Sequence, residues 1–266
     1  MPQAMAVSIW RHRELIRQLV WREISGRYRA SILGLLGSFV QPILMLALYS
    51  VVFSVVFLPR IPGGVGDQVP YVLALFAGML VHGVVADTLN AAPRLVLEQP
   101  SLVTKSVFPV EILSIASMAA AIFQGLAGYL VLFLGIAVMQ QDLHLTAVLL
   151  PLVLLPVALL ALGVSWIASS TGVFVRDVGQ FTGAVSSILF FSSPILYPPQ
   201  AVPEAWRFVL YLNPITPAVI QSRRVLLAGD VPEWGALGGY YLFCTTIMFL
   251  GYACFQRLRP GFSDVM

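Results

Sequence analysis

Long apolar segments alternate with short charged ones along the chain. A helix needs about 20 mostly apolar residues to cross a bilayer. Six segments meet this requirement, and they are the predicted membrane spans: residues 30–59, 68–92, 112–141, 143–175, 178–199 and 234–256. Several exceed the bilayer thickness, which indicates tilts or kinks near internal prolines such as Pro42 and Pro194. The pattern predicts a single all-α integral membrane domain, residues 1–266.

Residues 1–29 are too charged to span a membrane, yet they contain an apolar stripe. Trp10 and Trp21 flank a set of apolar residues that recur at helical spacing: Leu15, Ile16, Leu19, Val20 and Ile24. Such a stripe is typical of an amphipathic helix that lies in the cytoplasmic interface of the membrane. A solvated basic leader is the alternative interpretation.

Two connections are longer than simple turns. Between the second and third spans, Pro100 can begin a short helix and Pro109 can end it. After the fifth span, residues 193–233 alternate prolines with short amphipathic pieces, which is enough for two small helices over the outer mouth.

The composition supports a membrane location. Of 266 residues, 59% are hydrophobic and 10% are charged, whereas a soluble domain usually carries about 25% charged residues. This is more apolar surface than one water-soluble core would bury, so lipid has to solvate it.

The positive charges fall mainly on one side of the predicted spans. Eleven of the 15 lysines and arginines precede the first span, follow the last, or lie between the second and third or the fourth and fifth. The other four are Arg60, Arg207, Arg223 and Arg224. By the positive-inside rule, both termini are cytoplasmic. The arginines do not form a separate domain with interleaved aromatics, so no nucleic-acid partner is predicted.

The chemistry-bearing residues argue against an enzyme. The three histidines carry no metalloprotease spacing, and the single lysine, Lys105, follows a threonine rather than a glycine-rich phosphate loop. The chain therefore needs no cofactor or metal of its own. His82 and Asp87 in the second span are compatible with a hydrogen-bonded neutral histidine or with an ion-coupling site.

Four stretches carry a family resemblance: Arg22 to Pro42, Pro100 to Glu111 (PSLVTKSVFPVE), Ser192 to Gly229, which begins SSPILYPP, and the terminal RLRPGFSDVM. They are similar to the permease subunit of ABC-2 type polysaccharide exporters, the group that moves O-antigen, teichoic acid and some capsular polymers. The resemblance covers essentially the whole chain in the same order.

This resemblance implies the ABC-2 permease fold, a homodimer, and two cytoplasmic ATP-binding subunits that hold ATP and Mg²⁺. It implies that residues 100–109 form a coupling helix on the ATPase, involving Pro100, Ser101, Leu102, Lys105, Val107, Phe108, Pro109 and Glu111. The interface helix beside it would contribute Trp21, Arg22, Arg27, Tyr28 and Arg29. Residues 203–227 would be external gate helices, with Trp206, Arg207, Tyr211, Asn213, Arg223 and Arg224.

The cargo implied by the resemblance is a lipid-linked polysaccharide that crosses the bacterial inner membrane. Aromatic faces suit a sliding sugar, and the candidates are Tyr49, Phe53, Phe57, Phe181, Phe190, Phe191 and Tyr197. The same aromatic stripes are also typical of side chains that face lipid or pack against other helices. An ABC-2 permease for drugs or lipids, and a channel or ion-coupled carrier, are the alternative functions.

Overall fold

The computed structural model describes residues 10–28, 34–55, 68–100, 108–139 and 143–265, and all regular structure in these ranges is helical. The α-helices are α1 (Arg13–Tyr28), α2 (Gly37–Val55), α3 (Gln68–Leu97), α4 (Ile112–Met139), α5 (Leu150–Phe174), α6 (Val178–Phe191), α7 (Arg207–Leu212), α8 (Thr216–Arg223), α9 (Trp234–Leu258) and α10 (Phe262–Val265). Short 3-10 helices lie at Gly34–Leu36, Leu145–Leu149, Pro199–Ala201, Glu204–Trp206 and Arg259–Gly261, and a π-helical turn, Arg224–Ala228, follows α8.

Within these ranges, four helices are long and apolar enough to cross a membrane: Tyr71–Leu97, Ile112–Met139, Leu145–Phe174 and Trp234–Gly261. They correspond to the second, third, fourth and sixth predicted spans. The first and fifth coincide with shorter apolar helices, Gly37–Val52 and Val178–Phe191. At 1.5 Å per residue the 14-residue α6 is about 21 Å long, short of the roughly 30 Å hydrocarbon layer. The all-helical membrane fold is confirmed, and the count of six spans stays a prediction.

The helices pack around α3, which contacts α4, α5, α6 and α8. Two of the buried apolar clusters lie between α3 and its neighbours. One is centred on Trp166 and Phe255 and includes Val96 of α3. The other joins Val81 and Val85 of α3 to apolar residues of α5, α8 and α9. These clusters give the bundle a continuous packed interior from α3 to the helices on either side.

The spans α5 and α9 touch through their backbones. A Cβ added to Gly163 would lie 2.7 Å from the carbonyl oxygen of Ile247, and one on Gly251 would lie 3.0 Å from the Cα of Gly163. Small residues at helix crossings permit such close contact, which is a main source of helix association in lipid. Gly163 and Gly251 therefore fix the distance between α5 and α9.

We expect Gly163→Ala and Gly251→Ala to lower the melting temperature of the detergent-solubilised protein, because backbone atoms cannot move aside cheaply and overpacking costs about 1–3 kcal/mol. Gly238→Ala and Gly239→Ala are matched controls in α9, since an added Cβ there meets nothing within 4 Å. These controls should be neutral or slightly stabilising. Equal melting temperatures for both pairs would show that the close contact does not limit stability.

Candidate functional site

The end of the predicted coupling segment is held by a buried ion pair. The Glu111 side chain is 6% exposed, and its Oε2 accepts a hydrogen bond from Arg259 Nη1 at 3.1 Å. Arg259 Nη2 also donates to the carbonyl oxygen of Phe108 at 3.1 Å. The Nε1 of Trp166 in α5 donates to the carbonyl oxygen of Glu111 at 3.0 Å. We call these four residues the Glu111 clamp.

Apolar packing supports the clamp from both sides. Phe262 of α10 is buried between Phe255 of α9 and Phe174 of α5, with ring centroids 5.5 and 6.0 Å away. Val110 and Ile112 pack in the same cluster as Leu19 of α1. The residues that follow the predicted coupling segment are thus anchored to α5, α9 and α1 together.

The predicted interface helix is α1, and its apolar stripe faces the bundle. Leu19 and Ile24 are buried, while Leu15, Ile16 and Val20 pack against the cluster around Trp166. Trp21, Arg22 and Arg27 remain exposed. Tyr28 ends the helix, and Arg29 lies outside the described residues. The stripe therefore docks α1 onto the inner end of the bundle, mainly onto α4.

Much of the predicted coupling segment lies outside the described residues, including Ser101, Leu102, Lys105 and Val107. Pro100 is exposed at the end that leaves α3, and Pro109 is buried beside the clamp. The structure thus describes how both ends of residues 100–109 are placed. Sequence reasoning missed Arg259 and Trp166 as partners of Glu111. The signal was the tryptophan near the inner end of a span, because a buried indole N–H needs an acceptor.

On the predicted outer side, Arg223 binds three backbone carbonyls from two parts of the chain. Its Nε donates to Ala74 of α3 at 2.8 Å, its Nη1 to Pro194 at 2.6 Å and its Nη2 to Ile195 at 2.9 Å. Among the described residues, no Asp or Glu oxygen lies within 4 Å of it. Burial lowers the pKa of Arg223 to about 10, so the guanidinium stays charged at neutral pH.

Two further side chains hold this part of the chain, Tyr71 at the non-helical segment after α6 and Asn213 at the end of α6. The Tyr71 hydroxyl of α3 donates to the carbonyl oxygen of Leu196. Asn213 Nδ2 donates to the carbonyl oxygen of Leu189 at 2.7 Å and to Ser192 Oγ at 2.8 Å. Buried carbonyls that lack a hydrogen bond are costly, so these donors allow the chain to leave the helix there. We call Tyr71, Arg223 and Asn213 the carbonyl-binding set.

The other predicted gate residues are placed differently. Trp206 and Tyr211 are exposed, and the ring of Trp206 stacks on Phe208 with centroids 6.5 Å apart. Arg207 Nε donates to the carbonyl oxygen of Val202, and Arg224 lies 3.8 Å from Asp230 in a partly exposed ion pair. Among the predicted gate residues, Arg223 and Asn213 therefore bind backbone carbonyls of other elements, whereas Trp206 and Tyr211 are exposed beside and on α7.

The aromatic channel candidates that the structure describes have different surroundings. In α2, Tyr49 is partly buried against the apolar cluster around Leu73, whereas the Phe53 side chain and Phe57 lie outside the described side chains. In α6, Phe181 and Phe191 are exposed. The last two candidates are engaged: Phe190 packs on His82 at 5.1 Å, and the Tyr197 hydroxyl donates to the carbonyl oxygen of Phe191.

His82 forms a hydrogen bond and a ring contact with α6. Its Nε2 lies 3.0 Å from the carbonyl oxygen of Ser186 in α6, and its ring meets Phe190 edge to face. Within the described part of the chain, no group of three or more His, Cys, Asp or Glu side chains is placed to hold a metal ion.

Comparison with known proteins gives consistent matches over this architecture. The model of the ABC-2 type transporter family matches residues 14–227. The chain is similar to the O-antigen export system permease protein RfbA of Myxococcus xanthus, with 25% identity over 259 residues and 96% of each chain covered. It is also similar to the protein of the same name from Klebsiella pneumoniae, with 22% identity over 256 residues and 95% of each chain covered.

We expect Arg259→Gln to destabilise the protein, because Glu111 would stay buried without its cation, and a hydrogen bond between charged groups contributes about 1.5–3 kcal/mol. Glu111→Gln should cost less, and the double variant should cost less than the sum of the two. Melting temperatures of the four proteins in detergent measure this coupling. Arg257→Gln, at an exposed arginine two residues earlier, is the matched control. Strictly additive effects would contradict the clamp.

Substitutions at the carbonyl-binding set should expose the segment after α6 on the outer side. Arg223→Lys cannot place three donors on three separated carbonyls, and Gly78→Ala would put a Cβ 3.2 Å from Arg223 Nη2. We expect a cysteine at Leu196 to react faster with an impermeant maleimide in both variants.

The neighbouring Arg224→Lys is the control for Arg223→Lys, because partly exposed ion pairs contribute little. Gly83→Ala is the control for Gly78→Ala, since its Cβ would meet nothing within 4 Å. Unchanged labelling in the Arg223 and Gly78 variants would refute the fastening role.

Proposed function

Because the chain belongs to the ABC-2 type transporter family, we propose that it is the permease subunit of an ATP-driven exporter and that its cargo is a lipid-linked polysaccharide of the O-antigen kind. The observation that carries the proposal is the similarity to O-antigen export permeases over 95% or more of both chains. Four long apolar helices and the family match make it a multi-pass membrane protein. The permease is not an enzyme by itself.

The energy source is a cytoplasmic ABC ATP-binding subunit, present in two copies that bind ATP and Mg²⁺. In this proposal, residues 100–109 are the part of the chain that contacts this partner. The Glu111 clamp supports this assignment, because it anchors the downstream end of the segment to two spans. A force applied to the segment would reach α4 directly and α5 through the Trp166 hydrogen bond.

The cargo requires a second copy of the chain. Burying one sugar hydroxyl without a partner costs on the order of 1–3 kcal/mol, so a polymer needs a continuous lined path. One protomer with six spans encloses little space, whereas two protomers can enclose a channel between them. The homodimer, the cytoplasmic termini and the location in the bacterial inner membrane belong to this proposal.

Residues 203–227 act as the outer gate in this scheme. Arg223 holds the segment after α6 and Asn213 holds the end of α6, whereas Trp206 and Tyr211 present exposed aromatic rings. Phe181 and Phe191 of α6 are exposed in the same way and are the described candidates for contact with sugar rings. ATP-driven approach of the two partner subunits would tilt the spans, and the exposed part of the gate would move.

Replacing Val107, Phe108 and Pro109 together with alanine should uncouple ATP hydrolysis from export. We expect ATPase activity of the assembled complex to persist while cells accumulate the lipid-linked polymer on the cytoplasmic side. The matched control is Leu145→Ala with Val148→Ala, two exposed apolar residues on the opposite face. Unchanged export by the triple variant would contradict the coupling assignment.

A further inference from the structure

A cavity of about 560 Å³ lies between α1, α2, α3 and α4. Its polar lining comes from five side chains: Arg27, Gln41, His82, Asp87 and Gln124. Its apolar lining includes Met45 and Phe76. A neighbouring cavity of about 240 Å³ around Leu126 and Leu154 is lined almost wholly by apolar groups. Polar groups therefore do not line every gap in the described part of the bundle.

Polar side chains line the cavity from Asp87 to His82, and its other end, at Phe76, is apolar. Asp87 and Phe76 are 11 residues apart on α3, which is about 16 Å along the helix axis. Gln124 lies at the Asp87 end, because a Cβ on the adjacent Gly125 would lie 3.0 Å from Val84. Met45 lies at the Phe76 end, because the adjacent Leu46 packs in the same cluster as Leu73.

The polar end is the cytoplasmic end in the predicted topology. Arg27 is in the last turn of α1, which precedes the first predicted span. From Asp87, α3 continues for only ten residues to its end at Leu97. The cavity thus runs from the level of the inner headgroups toward the middle of the membrane.

The chemistry of the lining favours a hydroxyl-rich head with an aliphatic chain. Among the described residues, no Lys or Arg nitrogen lies within 4 Å of the Asp87 carboxylate, so its oxygens can accept hydroxyl donors. Gln41 adds an exposed carboxamide that both donates and accepts. Arg27 forms a long ion pair with Glu23 at 3.9 Å and can donate to an oxygen of the ligand.

We propose that this cavity binds one glycolipid molecule, with sugar hydroxyls at Asp87 and Gln41 and the aliphatic chain along Met45 and Phe76. The inference rests on the proposed function, since it names where the permease holds its lipid-linked cargo before transport. It adds a binding site on one protomer that does not depend on the ATPase or on the outer gate.

Native mass spectrometry of the purified full-length permease tests this site. The probes are digalactosyldiacylglycerol and phosphatidylcholine with the same acyl chains. We expect selective retention of the galactolipid, and about a tenfold or greater loss of it in Asp87→Asn and Gln41→Leu, because each removes a polar contact to the head. Met45→Trp should reduce binding of the galactolipid by filling the apolar end. Glu98→Gln, an exposed carboxylate on the same helix, is the control.

Equal retention of both lipids by the unaltered protein, or normal galactolipid binding in both Asp87→Asn and Gln41→Leu, would overturn the site. The measurement needs no ATPase and no transport, so its failure differs from failure of the proposed function. If the variants bind the galactolipid normally and still export polysaccharide, the cavity is not the binding site, but the exporter function stands. If the purified permease binds the galactolipid selectively but cells that lack the permease still export polysaccharide, the exporter function is rejected and the binding site stands.

Discussion

The need to pair buried backbone carbonyls shapes the part of this protein that follows α6. Ser193, Pro194 and Ile195 are buried, and the carbonyl groups of Pro194, Ile195 and Leu196 would be costly to leave unpaired. Arg223 and Tyr71 supply the donors from neighbouring helices. A charged side chain is thus used to satisfy neutral carbonyls, and Gly78 leaves room for it.

Around Glu111, buried polar groups are also paired, but there an ion pair and a tryptophan supply the partners. Glu111 is a buried carboxylate, and a cation from beyond α9 neutralises it. Trp166 and Arg259 also donate hydrogen bonds to the carbonyl oxygens of Glu111 and Phe108, at the end of the proposed coupling segment. Hydrogen bonds to buried polar groups therefore hold the chain at two places, the segment after α6 and the residues around Glu111. The proposed mechanism requires a defined position at both.

The apolar pattern predicted the helical membrane fold because hydrophobic length is a direct requirement of the bilayer. Four of the six predicted spans appear as long apolar helices, and the stripe of α1 was recognisable from its spacing. The pattern could not tell which way that stripe faces, since Leu19 would be equally apolar against lipid or against α4. The partners of Glu111 were also not predictable, because Arg259 lies 148 residues away in the chain. Asp87 and Gln41 share a cavity only through the packing of α2 on α3.

The backbone contact at Gly163 and Gly251 has a mechanical consequence. Trp166, which holds the carbonyl of Glu111, is in α5, and Arg259, which holds its carboxylate, directly follows α9. Both residues that contact the proposed coupling segment therefore lie on, or directly after, helices whose backbones touch each other. In the proposed mechanism, a force applied to that segment would act on α5 and α9 together.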